Sequence, residues 1–220
     1  MPRQSKGAVE VLAEDREAAL RLVPLSDVDQ QRLNIYQDLL LRWQGMLNLV
    51  SGATVPHLWT RHIADSAQLR NLAPNALRWA DLGSGGGFPG MVVAILLTGT
   101  PGARVHLIER DKRKGAFLQT VSRETGAAAS VHTAPVEEIV STLRDIEIVT
   151  SRAVAPLPRL VQWSLPLLQG GARGLFHKGR SVQQEIAAVL EESVDLSTLA
   201  SRTDSSGRIV SVRYRGEAIR

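Results

Sequence analysis

The stretch Asp81-Leu82-Gly83-Ser84-Gly85-Gly86-Gly87-Phe88-Pro89-Gly90 constrains this chain more than any other. It joins an apolar β-like segment, residues 77–82, to an apolar helical one, residues 91–97, through a loop almost without side chains. Glycines at 83, 85, 86, 87 and 90 permit positive φ and omit the Cβ that would block a ligand approaching the backbone. A merely structural turn would not incur that entropic cost five times. Asp81 ends the strand, at the edge where open α/β sheets bind ligands. Pro89 suits the first turn of the next helix, where no N–H is needed.

Two cofactor readings compete. The set Gly85-x-Gly87-x-x-Gly90 satisfies the dinucleotide fingerprint, with Glu109 at the distance of a ribose-binding acid. Read from Asp81, the stretch is acid-x-Gly83-x-Gly85-x-Gly87, the signature of S-adenosylmethionine enzymes with a Rossmann-like sheet. Only the second gives the acid directly before the loop a role. Glu109 serves either, since a carboxylate there can accept from both hydroxyls of a ribose.

At 220 residues the chain suffices for one α/β domain with an appendage. It has no cysteine, which excludes disulfides, thiolate metal sites and cysteine nucleophiles, including those that attack cytosine C5. His57, His106, His132 and His177 show no ligand-like spacing with an acid, so no metal is expected. The apolar run 91–97 is too short to span a bilayer, and the amino terminus lacks a signal-peptide pattern. A cytoplasmic protein without membrane attachment is expected. The net charge of +4 and pI near 9.9 are compatible with a nucleic-acid partner.

In chain order, residues 1–24 read as one loosely amphipathic helix, and residues 27–47 as a second, N-capped by Ser26. Thr54 and Pro56 start a third, to about residue 69, carrying Arg61, His62 and Asp65. His62 and Asp65 share a face there, as a hydrogen-bonded pair buttressing the glycine loop, with Arg61 alongside. A loop at 71–76 divides a helical cap, 1–74, from the main domain, 75–220. Strands at 77–82, 104–109, 130–133, 146–150 and 172–177 then alternate with helices ending near 97, 125 and 140, at 157–168 (interrupted by Pro158 and Pro166) and at 181–191. Alternation of this kind gives a parallel sheet. Strands at 194–201 and 208–214 add an antiparallel hairpin at one edge, making a seven-stranded, mostly parallel α/β sheet.

Further residues gather at the sheet's carboxyl edge. Asp111 N-caps a helix whose first turn holds Lys112, Arg113 and Lys114. Cations there oppose the helix dipole, each by roughly 0.3–1 kcal/mol, but together with free backbone N–H groups they form a phosphate cradle for nucleic acid. Val136 and Glu137 follow the third strand, beside the position of a cofactor's base. Arg152, after the fourth, can hold a carboxylate or phosphate by a bidentate contact. Lys178 and Arg180 follow the fifth on a flexible turn.

Taken together, the tract 43–49, Arg61-His62-Ile63 with Asp65-Ser66, the loop 81–90, Lys112-Arg113 with Phe117-Leu118, Val136-Glu137, Ser151-Arg152-Ala153 and Lys178-Gly179 resemble the RsmG or glucose-inhibited division protein B family, bacterial guanine-N7 methyltransferases of small-subunit ribosomal RNA. The resemblance implies a class I methyltransferase fold with S-adenosylmethionine lined by Asp81, Gly83, Gly85, Gly87, Phe88, Val136, Glu137 and Arg152, and with Glu109 on its ribose. It implies RNA contacts from Arg61, His62, Lys112, Arg113, Lys114, Lys178 and Arg180, and a monomer acting by positioning, Arg152 included, without a general base. Glu109 stands where the family often has Asp, and Pro135 where it commonly has Arg. A non-catalytic RNA-binding assembly factor and a nicotinamide oxidoreductase are the alternatives.

Overall fold

The structure is a computed structural model, and it describes residues 6–216; the first five residues of the expected helix 1–24 lie outside them. The helices are α1 (Lys6–Leu22), α2 (Asp27–Leu47), α3 (Asp65–Leu72), α4 (Gly90–Leu96), α5 (Lys112–Thr125), α6 (Val136–Val140), α7 (Leu157–Gln169) and α8 (Val182–Ala187). The strands are β1 (Arg78–Leu82), β2 (Arg104–Ile108), β3 (Ala129–His132), β4 (Ile148–Arg152), β5 (Arg173–Lys178), β6 (Val194–Ala200) and β7 (Arg208–Tyr214). They form one sheet in the order β3-β2-β1-β4-β5-β7-β6. The first five are parallel, while β7 runs antiparallel to β5 and pairs with β6 as an edge hairpin.

Alternate side chains leave opposite faces of a strand, so each strand feeds two cores. Trp79, Leu107, Ile148 and Leu175 pack with α1 to α5 on one face. Ala80, Ile108, Val149 and Phe176 pack with α6 and α7 on the other. Both faces being covered explains why the central strands are apolar nearly throughout. The helices before β1 share the first core with the sheet: Tyr36 and Leu40 of α2 are buried in it with Phe88, Met91 and Phe117.

Three elements differ from the sequence expectation. The helix expected over 54–69 is three pieces: a 3-10 segment Gly52–His57, a π turn Trp59–Ala64, and α3. Pro56 can donate no hydrogen bond, and the buried Asp15 of α1 accepts from the N–H groups of Trp59 (2.8 Å) and Thr60 (3.2 Å), restarting the helix there. Helix α7 runs uninterrupted. Pro158 occupies its first turn, where no N–H is needed, and Pro166 its last turn, where the helix forgoes one i→i−4 hydrogen bond and continues to Gln169. Helix α8 ends at Ala187, short of residue 191, and the Glu191 carboxylate instead accepts from the Ser193 N–H (3.1 Å) in a turn leading to β6.

Candidate active site

The loop from Gly83 to Pro89 links β1 to α4 at the carboxyl edge of the sheet. Gly83, Gly85 and Gly87 have φ of +69°, +55° and +100°. What fills the space beside each glycine divides the five. A Cβ on Gly83 would meet Val154 Cγ2 at 2.3 Å, one on Gly86 the Leu49 carbonyl oxygen at 2.8 Å, one on Gly87 Tyr36 Oη at 2.5 Å, and one on Gly90 Asp81 Cβ at 2.5 Å. Only beside Gly85 is the nearest atom as far as 3.9 Å. Close approach of protein accounts for four of the glycines, and at Gly85 the left-handed backbone lies open to a ligand. That outcome also counts against the dinucleotide fingerprint, because Gly87, the glycine that would admit a pyrophosphate, is closed by Tyr36 and Met91.

The loop is held from below and from both sides. Asp81 is fully buried beneath it, outside the cavity wall where the sequence reading placed it, and its Oδ2 accepts from the Gly90 N–H at 3.2 Å. Its Oδ1 has no partner among the described residues. Burial pushes the Asp81 carboxyl up to about 7, against the Gly90 hydrogen bond and the nearby Arg152 charge. Glu109 accepts from the Gly85 N–H through Oε2 and from the Asp111 N–H through Oε1, each at 2.8 Å. From the cap side, Tyr36 Oη donates to the Gly86 carbonyl.

Above the loop lies a cavity of about 530 Å³. Its wall includes Gly83, Gly85, Phe88, Glu109, Lys114 and Arg152 of the expected residues. It also includes Val50, Thr54, Arg110 and Val154, which sequence reasoning missed. The bend before the π turn carries no motif. Val154 could have been suspected only from the glycine it packs on.

Arg152 ends β4 with its side chain 17% exposed and both terminal nitrogens engaged. Nη1 donates to the Arg61 carbonyl (2.8 Å) and Asp65 Oδ2 (3.3 Å), and Nη2 donates to His62 Nδ1. The guanidinium also lies over the Phe88 ring, 5.2 Å from its centroid. His62 and Asp65 therefore meet through Arg152 rather than as the direct pair expected. His62 is not an RNA-facing cation. Its Nε2 hydrogen-bonds Thr54 Oγ1 at 2.8 Å, and burial beside Arg152 lowers its pKa to about 3. The residue after Arg152, Ala153, has φ +57°, a conformation that costs a residue with a Cβ roughly 1–2 kcal/mol.

Other expected residues also lie elsewhere. Val136 is buried in the second core, and Glu137 turns its carboxylate to Arg159 (3.0 Å) and Trp163 Nε1 (2.7 Å), so neither lines this cavity. Lys178 is 8% exposed and bound to Glu185 and the Ala155 carbonyl, each at 2.8 Å, which takes it off the RNA surface. Asp111 does cap α5, accepting from the Arg113 (2.8 Å) and Lys114 (3.3 Å) N–H groups. Those two groups are not free for phosphate, so a cradle there would rest on side chains. Lys112 and Arg180 are exposed, Arg113 is exposed and donates to the Met46 carbonyl (2.9 Å), and Arg61 pairs with Asp204 (2.7 Å).

Among the described residues no group of three or more His, Asp or Glu side chains is placed to hold a metal ion. No described helix is long and apolar enough to cross a membrane.

Similarity to known proteins agrees with this geometry. Residues 29–207 match the family model GidB, rRNA small subunit methyltransferase G. A ribosomal RNA small subunit methyltransferase G of Bradyrhizobium sp. (strain BTAi1 / ATCC BAA-1182) is 47% identical over 93% of both chains. One of Methylobacterium sp. (strain 4-46) is 46% identical over 90% of this chain and 94% of its own. In fold, the chain is similar to a mutant of MtNAS in complex with S-adenosylmethionine (TM-score 0.56, 15% identity, 94% of this chain and 89% of that one). It is also similar to TrmN from Thermus thermophilus (TM-score 0.55, 14% identity, 70% and 49%). The seven-stranded sheet, the glycine loop at its carboxyl edge and the match over most of the sequence place the chain in the rRNA small subunit methyltransferase G (GidB) family.

Proposed function

We propose that this protein transfers the methyl group of S-adenosylmethionine to N7 of a guanine in small-subunit ribosomal RNA. The observation that carries the reading is the loop cavity itself: open backbone at Gly85 and a carboxylate at Glu109. These fit an adenosyl cofactor. Glu109 retains acceptor capacity for ribose hydroxyls beyond its two loop hydrogen bonds. The cofactor, when bound, supplies an electrophilic methyl on a sulfonium.

The protein's own part is positioning. Guanine N7 carries a lone pair at neutral pH, so no base is needed to free it. The titratable groups around the loop already hold partners: His62 accepts from Arg152, Asp81 from the Gly90 N–H, and Glu109 from the Gly85 and Asp111 N–H groups. Arg152 acts as a positioning residue, fixing Phe88 and the π turn around the cavity mouth. Duplex RNA hides N7 in a deep, narrow groove, so the target is a loop or splayed base. Lys112, Lys114, Arg113 and Arg180 would track its phosphates. Residues 1–74 serve as a cap and 75–220 as the transferase unit of a cytoplasmic monomer.

The test is incubation with methyl-labelled S-adenosylmethionine and small-subunit RNA from cells lacking the protein, followed by nucleoside analysis. Label in 7-methylguanosine is expected. Label only with whole subunits makes the particle the substrate, and RNA binding without label in either leaves an assembly factor.

A further inference from the structure

A second and larger cavity, about 670 Å³, adjoins the first and shares Arg152, Ala153 and Val154 with it as a common wall. Its size falls within the roughly 300–1,000 Å³ usual for small-molecule sites. The far walls come from Arg61 and Asp65 of the cap, His177 to Gly179 at the carboxyl end of β5, Glu185 of α8, and the turn between β6 and β7. The turn is tied to the cap, since Thr203 Oγ1 donates to Asp65 Oδ1 (2.8 Å) and the Arg202 N–H to Gln68 Oε1 (2.9 Å).

Charge decides what class of ligand suits this space. Each of three cations in the wall already has a carboxylate: Arg61 with Asp204 at 2.7 Å, Lys178 with Glu185 at 2.8 Å, and Arg152 with Asp65 at 3.3 Å. Arg208 is turned onto the Ser205 and Gly207 carbonyls. A phosphate would have to break such pairs. A neutral, flat, polar ring would not, and Ala153, Val154, Ala155 and Pro156 offer it an apolar wall. Val154 is 40% exposed at the partition between the two cavities, an unusual place for an apolar side chain with nothing upon it.

One buried polar atom in this wall lacks a partner. His177 is 8% exposed and lies beside Arg152 in the β4–β5 register. Its Nε2 contacts the Asp65 carbonyl oxygen at 2.8 Å, which requires Nε2 to carry the hydrogen. Nδ1 is then a lone-pair acceptor, and it has no partner among the described residues. Burial lowers the His177 pKa, which keeps the ring neutral. An orphaned buried acceptor of this kind is costly unless a ligand donor completes it.

We propose that this cavity seats the target guanine, that His177 Nδ1 accepts a hydrogen bond from an N–H of its Watson–Crick edge, and that N7 faces the loop cavity where the two cavities meet at Arg152, Ala153 and Val154. The inference rests on the reading of the chain as a guanine-N7 methyltransferase. Guanine suits the cavity because its Watson–Crick edge presents two adjacent N–H donors, at N1 and the 2-amino group.

The test compares the full-length protein with Gly179→Leu, His177→Gln and His177→Asn, measuring melting temperature, cofactor Kd by calorimetry, and kcat/KM for RNA. Gly179 lines the cavity, and no described atom lies within 4 Å of an added Cβ, so a larger side chain fits at the cavity rim without a clash. It should bind cofactor like the native protein and lose about tenfold or more in kcat/KM. Gln places its amide near Nε2 and keeps the donor to Asp65, whereas Asn places one near Nδ1 and keeps the acceptor. His177→Gln should lose about tenfold, the worth of one unsatisfied hydrogen bond, and His177→Asn should recover most of it. Full activity in Gly179→Leu overturns the cavity assignment. A native-like Gln variant with an impaired Asn variant overturns the acceptor role, leaving His177 only to brace Asp65. If the native protein forms no 7-methylguanosine, the underlying reading fails first and takes this one with it.

Discussion

Arg152 and Asp65 stand 87 residues apart in the chain and 3.3 Å apart in the fold, with side chains only 17% and 14% exposed. The pair joins the end of β4 to the start of α3. It thereby locks the cap to the carboxyl edge of the sheet at the partition between the two cavities. Removing one member of such a pair leaves a buried charge without its counter-ion, at about 3–5 kcal/mol. Arg152→Ala should therefore lower the melting temperature by about 10 °C and weaken cofactor binding as well. Adding Asp65→Asn should restore part of the stability. A double variant no more stable than the single one would show that the charge pair is not what Arg152 supplies.

Asp81 should make stability depend on pH. Its carboxyl rises from 3.8 to about 7 on folding, because burial disfavours the charged form. A raised acid binds its proton more tightly in the folded state. Its contribution to stability is complete below 3.8 and is lost as pH rises through about 7. Asp81→Asn keeps an acceptor for the Gly90 N–H and cannot ionise. Its melting temperature, matched to the native protein at pH 4, should pull ahead progressively toward pH 8. Parallel curves across that range would place the Asp81 titration elsewhere.

The loop glycines should separate folding from binding. At Gly83 an added methyl group collides with Val154 and the backbone is left-handed, so Gly83→Ala should lower the melting temperature, with partial relief from Val154→Ala. Gly85→Ala meets no atom nearer than 3.9 Å and costs only its backbone conformation, about 1–2 kcal/mol. It should keep the fold and weaken cofactor binding at least tenfold. Native affinity in Gly85→Ala would mean that no ligand approaches there.

Two lysines read alike in the sequence should behave differently. Lys112 is exposed at the start of α5, and Lys112→Ala should flatten the salt dependence of RNA binding by about 0.7 to 0.9 in log–log slope. Lys178 is buried against Glu185 and the Ala155 carbonyl, so Lys178→Ala should destabilise the protein instead. Melting curves and binding titrations at three salt concentrations distinguish them. Equal slope changes for both would return Lys178 to the RNA surface.

Local pattern was enough for most of the architecture. Apolar periodicity placed the strands and most helices, and their alternation implied the parallel sheet, because each element's buried face is written within its own few residues. The helix over 54–69 was misread because Asp15, which restarts it at Trp59, lies 44 residues away. Glu137 was misread because helix α7, which supplies Arg159 and Trp163, gives no signal at Glu137 itself.

At the site, the sequence by itself determined the glycine loop, the carboxylates around it and the family to which they point. Only the tertiary structure decided what each residue does there. A glycine in a sequence reports that a side chain is absent, not whether Val154, Tyr36 or open space takes its place. A basic residue reports a charge, not whether Glu185 or Asp65 will neutralise it. Those partners arrive from distant segments, and hydrogen bonds and ion pairs act over about 3 Å in space regardless of separation along the chain.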